Sequence, residues 1–191
     1  MLEGLAKASL GEYDSAIKIY DQALVLDKSY KLAYYNKGIV RRSLGDFENA
    51  IEDFTQAIAI DDQYVEAYNN RGRVFADMQN YQAAMQDYHH AISIKPDYKI
   101  AYNNRGIAKA ALGNYMGAIS DYDKAINLAP QYKSAYNNRG LAKTALFNYP
   151  GAIEDYDIVI KLSPDYKLAY NNRGIAKVAL DDYRGAILDF D

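Results

Sequence analysis

A period of 34 residues runs through this chain without an insertion or deletion, and no other feature restricts the fold as strongly. The string AYNNRG stands at Ala67, Ala101, Ala135 and Ala169, with the variant AYYNKG at Ala33. One step further back lies Met1-Leu2-Glu3-Gly4, where only the glycine is kept. A fixed period of this size means one supersecondary unit, copied and stacked, because a single copy cannot bury its own apolar face. With the tyrosine of AYNNRG as position 4, the chain reads as one array over residues 1–191. Residues 1–30 form a partial repeat, 31–64, 65–98, 99–132 and 133–166 full repeats, and 167–191 a truncated one.

The repeat explains an odd composition. There are 20 tyrosines but no tryptophan and 5 phenylalanines, and every tyrosine except Tyr35 falls on position 4, 17, 24 or 34. Phe47, Phe54 and Phe190 fill gaps at positions 17 and 24. Such placement predicts packing contacts rather than a cofactor box. Each copy reads as two helices. Positions 2 to 14 hold good helix formers and end at a break such as Gly45-Asp46 or Gly113-Asn114, where glycine can take the left-handed conformation. Asp46, Asn80, Asn114, Asn148 and Asp182 then stand where a helix N-cap belongs, and Pro150 is predicted in the first turn of its helix. Pro96, Pro130 and Pro164 close their repeats, while Lys28 and Asp62 at the same place predict looser turns.

Small residues recur where helices must approach closely. Position 8 is glycine in all six copies, from Gly4 to Gly174, and position 20 is alanine, from Ala16 to Ala186. A mid-helix glycine costs about 0.5–1 kcal/mol against alanine, so its repetition predicts close packing that returns more. With Tyr102, Gly106, Ala118, Tyr122, Ala125 and Pro130 at positions 4, 8, 20, 24, 27 and 32, the chain resembles the tetratricopeptide repeat family from end to end. The resemblance implies an all-α fold, a right-handed superhelical solenoid of antiparallel helix pairs. In it, first helices line the concave face and second helices the convex one. By the repeat numbering, the first helix lacks its start and the last helix stops early, so a fragment of a longer array is expected, or self-association through uncapped chain ends.

The concave face carries the candidate site. By steps of 100° per residue, positions 2, 5, 6, 9, 12 and 13 share the side of the first helix away from its partner. Position 6 holds Asn36, Asn70, Asn104, Asn138 and Asn172; position 5 holds Asn69, Asn103, Asn137 and Asn171; position 9 holds Ile39, Arg73, Ile107, Leu141 and Ile175. A primary amide both donates and accepts, so a row of them can hold an extended backbone, with the position 9 side chains adding contact area. The row resembles the asparagine ladder of the repeat domain of O-linked N-acetylglucosamine transferase, which holds extended polypeptide. The competing reading is that these amides tie neighbouring repeats together. The chaperone-binding branch of the family clamps a carboxylate with lysine at 5, asparagine at 9 and 6, and lysine and arginine at 2 and 6. Only the asparagine at 6 is present here. The expected function is a protein–protein interaction scaffold that binds an extended peptide segment, or alternatively a structural spacer or self-assembly module.

Charge follows the repeat as well. Position 7 holds Lys37, Arg71, Arg105, Arg139 and Arg173, while position 23 holds Asp53, Asp87, Asp121, Asp155 and Asp189. The first copy has Glu3 and Ile19 there, so base and acid vanish together. Ion pairs between packed helices are expected. A net charge of -3 gives no basic stripe for nucleic acid. No apolar run of about 18 residues exists for membrane insertion, and the first residues do not read as a signal peptide. Absent cysteine removes thiolate chemistry. His89 and His90 are adjacent on a second helix and cannot chelate together. No nucleophile set, phosphate loop, metal set or cofactor motif breaks the repeat. The chain is therefore expected to be non-enzymatic, without cofactor or metal. A soluble protein is expected, the cytoplasm being favoured over the periplasm.

Overall fold

The structure, a computed structural model, describes residues 2–191. Met1, which the repeat numbering puts at position 5, lies outside them. Among the described residues there are twelve helices and no strand. The chain divides into two halves, one ending at Pro96 and the other running from Asp97 to Asp191. The N-terminal half holds α1 (Leu2–Ser9), α2 (Tyr13–Leu26), α3 (Lys31–Leu44), α4 (Phe47–Ile60), α5 (Val65–Asp77) and α6 (Tyr81–Ile94). The C-terminal half holds α7 (Lys99–Ala111), α8 (Tyr115–Leu128), α9 (Lys133–Ala145), α10 (Tyr149–Leu162), α11 (Lys167–Val178) and α12 (Tyr183–Phe190). In each half an odd-numbered helix packs on the even-numbered helix that follows, and that helix packs on the next pair. First helices of neighbouring pairs also touch: α3 with α5, α7 with α9, and α9 with α11. Each half is thus a stack of helix hairpins, the solenoid arrangement. At about 1.5 Å per residue, the full-length helices are roughly 20 Å long.

Local chemistry sets the helix ends. The side chains of Asn80, Asn114, Asn148 and Asp182 each accept a hydrogen bond from the backbone N–H three residues on, at 2.9–3.2 Å. Asp46 departs from the expectation: its carboxylate accepts from the Asn49 side chain instead. Pro150 stands in the first turn of α10. Position 15, which ends the first helix, has positive φ in every copy: Gly11, Gly45 and Gly113 at 77–79°, and Gln79, Phe147 and Asp181 at 59–61°. The three non-glycine residues sit in a conformation that costs an L-residue roughly 1–2 kcal/mol. Where proline is missing from the inter-repeat turns, an aspartate two residues earlier than the following polar residue substitutes. Asp27 accepts from the Ser29 N–H at 2.9 Å and Asp61 from the Gln63 N–H at 3.0 Å.

The core repeats with the sequence. Ala at position 3, Ala at position 20 and the aromatic residue at position 24 are buried in most copies, as are Val40, Val74, Ala108, Ala142 and Ala176 at position 10. The position 24 ring lies flat against the position 8 glycine. A Cβ on Gly106 would stand 2.5 Å from Tyr122 Cε1, and one on Gly140 2.6 Å from Tyr156 Cε1. Tyr20 occupies the same place on Gly4, but its buried hydroxyl has no hydrogen-bond partner among the described residues.

The expected ion pairs are formed. Arg71 grips Asp87 through Nε (2.9 Å) and Nη2 (2.7 Å), and Arg105 grips Asp121 in the same two-pronged way at the same distances. Arg139 holds Asp155 and Arg173 holds Asp189 similarly. Lys109, Lys143 and Lys177, one turn on, add a second cation to Asp121, Asp155 and Asp189 at 2.8 Å. The guanidinium also reaches back: Arg139 Nη1 meets Asp123 of the preceding second helix at 2.5 Å, and Arg173 Nη1 meets Asp157 at 2.5 Å. Each arginine lies over the position 4 tyrosine three residues before it, 5.3–5.7 Å from the ring centre. One side chain thus joins its own repeat to the one before it. In the second copy the cations are exchanged: Lys37 lies 3.3 Å from Asp53, and Arg41 2.8 Å from it. Burial there outweighs both cations and pushes the Asp53 carboxyl up to about 6. At Asp189 burial also opposes ionisation, but the hydrogen bonds from Arg173 and Lys177 prevail and hold the carboxyl below its ordinary range.

Candidate peptide-binding groove

Positions 5 and 6, expected on one groove wall, separate in the structure. Asn69, Asn103 and Asn137 are only 3%, 4% and 8% exposed. They lie in the seam between first helices and not on an open wall. The seam has a fixed chemistry. Asn138 Nδ2 donates to Asn103 Oδ1 at 3.0 Å, and Asn172 Nδ2 donates to Asn137 Oδ1 at 3.3 Å. Asn138 and Asn172 are thereby each tied to the position 5 amide of the preceding repeat. In the N-terminal half Tyr35 takes the position 5 role: Asn70 Nδ2 donates to the Tyr35 hydroxyl at 2.9 Å. Tyr35 is steadied by Phe54 and Tyr64, whose ring centres lie 5.8 and 5.0 Å away, and burial raises its phenol above the ordinary range. Asn171 alone among the position 5 amides is exposed.

The correction has a simple cause. A projection at 100° per residue treats a first helix as if it had one neighbour. In these stacks it has a partner helix on one flank and first helices on others, so the open wall is narrower than the projection allows. Amides tie repeats together at Asn138 and Asn103 and at Asn172 and Asn137, and Asn70 does the same with Tyr35. What the tie leaves is the amide oxygen. One N–H of Asn138 and of Asn172 is spent on the seam, while each Oδ1 has no hydrogen-bond partner among the described residues. Asn70 differs, because its Oδ1 accepts from Arg73 Nη1 at 3.3 Å. Asn36 and Asn104 are likewise half-buried.

Position 9 stands in the open. Ile107, Leu141 and Ile175 are 43%, 46% and 50% exposed, large apolar side chains in a row on α7, α9 and α11. Ile39 and Arg73 are also exposed on α3 and α5. The two halves differ in charge along this wall. The N-terminal half carries Glu66, Arg73 and the Arg42–Asp77 ion pair at 2.6 Å. The wall formed by α7, α9 and α11 has no charged residue at positions 2, 5, 6, 9, 12 or 13. A cavity of about 190 Å³ opens there, lined by Ile107, Ala110, Tyr115, Tyr122, Asn138, Leu141 and Ala142. Its small residues, Ala110 and Ala142, drew no attention in the sequence, although alanine recurs around them. His89 and His90 are exposed on α6, with the His90 ring 5.4 Å from that of Tyr68. No helix is long and apolar enough to cross a membrane among the described residues.

Helix hairpins with a glycine–aromatic notch at a 34-residue period define a class of repeat protein, and family comparison agrees. A TPR repeat model matches residues 4–41 and 40–79, and a tetratricopeptide repeat model matches residues 65–98 and 100–132. The chain belongs to the tetratricopeptide repeat family. By class it is a protein–protein interaction scaffold. Among solved structures it is similar to the MamA protein, with 25% identity, a TM-score of 0.74, and coverage of 84% of this chain and 87% of that one. It is also similar to PilW, a type IV pilus biogenesis factor, with 20% identity, a TM-score of 0.89 and coverage of 98% and 87%. A third is YrrB, described as a TPR protein with an unusual peptide-binding site, with 18% identity, a TM-score of 0.70 and coverage of 89% and 88%. No curated protein matches the sequence.

Proposed function

We propose that this chain binds an extended segment of a partner polypeptide along the first-helix wall of its C-terminal half. The observation that carries the reading is the conjunction on α9 and α11 of an amide oxygen left without a hydrogen-bond partner and an exposed aliphatic side chain three residues on: Asn138 with Leu141, and Asn172 with Ile175. An acceptor of this kind pairs with a backbone N–H, which every extended peptide offers whatever its sequence. Each such bond nets about 0.5–1.5 kcal/mol, so useful affinity needs the apolar contacts as well. Those contacts are available, because Ile107, Leu141 and Ile175 each keep about half of their surface exposed.

The amide variants suggested by the sequence are poor probes. Asn138→Ala would strand the buried Asn103 carbonyl as well as remove a rung, so both binding and stability would fall. The better variant replaces Ile107, Leu141 and Ile175 together by serine. Exposed substitutions of this kind move stability within about 0.5 kcal/mol each, so the melting curve should shift little. Binding to an array of extended neutral peptides should be lost. If the triple variant binds the same peptides with equal strength, the wall is not the site.

A further inference from the structure

The cavity between α7 and α9 has a counterpart one repeat on that is differently furnished. On α9, Thr144 Oγ1 meets the Tyr156 hydroxyl at 3.3 Å. The equivalent of Thr144 on α7 is Ala110, and the equivalent of Tyr156 is Tyr122. Tyr122 is 2% exposed, lines the cavity, and its hydroxyl has no hydrogen-bond partner among the described residues. Unlike the Tyr20 hydroxyl, it is not sealed from solvent, so it can pair with a group that enters the cavity. Above it stand the aliphatic walls of Ile107, Leu141 and Ala142, with the Asn138 amide at the rim. A volume of about 190 Å³ has room for one short side chain together with water.

We propose that this cavity is a specificity socket: it takes one short, uncharged, β-branched side chain, threonine or valine, from the partner segment that lies on the wall. This rests on the groove reading above. The methyl groups of such a residue pack on Ile107, Leu141 and Ala142 and release the waters. A threonine hydroxyl also meets the Tyr122 hydroxyl, as Thr144 meets Tyr156 one repeat on. Charge is excluded. In a chain whose residues are 25% charged, no counter-ion stands on the α7, α9 or α11 wall to receive a lysine or a glutamate, and a charge buried without a partner is strongly disfavoured.

The test titrates the ¹⁵N-labelled chain with neutral nonapeptides that differ only in a central valine, threonine, lysine or glutamate, following the amide signals of Ala110, Asn138 and Leu141. Valine and threonine peptides should bind at least tenfold tighter than lysine and glutamate peptides. Ala110→Thr repeats what the next copy already contains, so it should fold with an unchanged melting temperature and lose that preference. Thr144→Ala, which empties the equivalent place above Tyr156, should tighten binding of a peptide with two valines. Binding on the first helices that ignores the central residue, or that Ala110→Thr and Thr144→Ala leave unchanged, overturns the socket while the groove stands. No shift on any first helix with any peptide overturns both.

Discussion

A methyl group at Gly106 would stand 2.5, 2.9 and 3.0 Å from three ring atoms of Tyr122. Tyr122 is 2% exposed and is held by packed helices except where it lines the cavity between α7 and α9. Alanine is the better helix former by about 0.5–1 kcal/mol, yet overpacking costs about 1–3 kcal/mol, so Gly106→Ala should destabilise the chain by about 1–2 kcal/mol in urea unfolding. A neutral or stabilised variant would show that the notch is slack. Gly113 makes an instructive contrast. A Cβ there would meet nothing within 4 Å, but φ is 79°, so the two glycines are required for different reasons: one for space, the other for backbone geometry. Phe147 shows that the second requirement can be overridden, since it holds a φ of 61° while 77% exposed. Its ring meets that of Tyr149 edge-on, with centres 6.2 Å apart.

At the scale of the helix pair, the ion pairs between first and second helices differ among copies in a way that pH can read. Asp53, between α3 and α4, has its carboxyl pushed up to about 6 by burial, against an ordinary value near 3.9. A raised carboxyl gives stability that is full below about 4 and is lost as pH rises through about 6. The wild-type chain should therefore gain about 1 kcal/mol in unfolding free energy between pH 7.5 and pH 5. Asp53→Asn should remove that gain, and matched urea titrations at the two pH values check it. Asp189 has the opposite sign: its stabilisation is present above its ordinary value and is lost as pH falls through the lowered one. The pairing itself was legible in the sequence, because Arg at 7 and Asp at 23 appear and disappear together. The amide seam was not. It depends on which flank of α9 meets α7, and a linear projection of one helix contains no neighbours. Nor could the sequence reveal the cavity over Tyr122, which Ala110 helps to line in the place of Thr144, because the meaning of that exchange depends on what stands opposite. Fold was readable because residue type at fixed spacing encodes it. The site was readable only in part because it lies in differences between copies that the period makes look alike.

At the scale of the whole molecule, the arginine that touches two repeats has a consequence for chain length. Arg139 joins Asp123 to Asp155, and Arg173 joins Asp157 to Asp189. Removing residues 133–166 would set Lys167 directly after Tyr132 and bring Arg173 to Asp123, the same kind of partner it already has. It would likewise bring Asn172 to Asn103 in place of Asn137. A chain lacking those 34 residues should fold with unchanged helicity per residue, by circular dichroism, and unfold cooperatively at a somewhat lower temperature. Loss of helicity on this excision would mean that the junctions are individually fitted. Because the couplings at Arg139 and Arg173 present the same fitting on both sides, copy number in this half can drift by gene slippage in whole steps, and the product inherits a working joint without a compensating mutation.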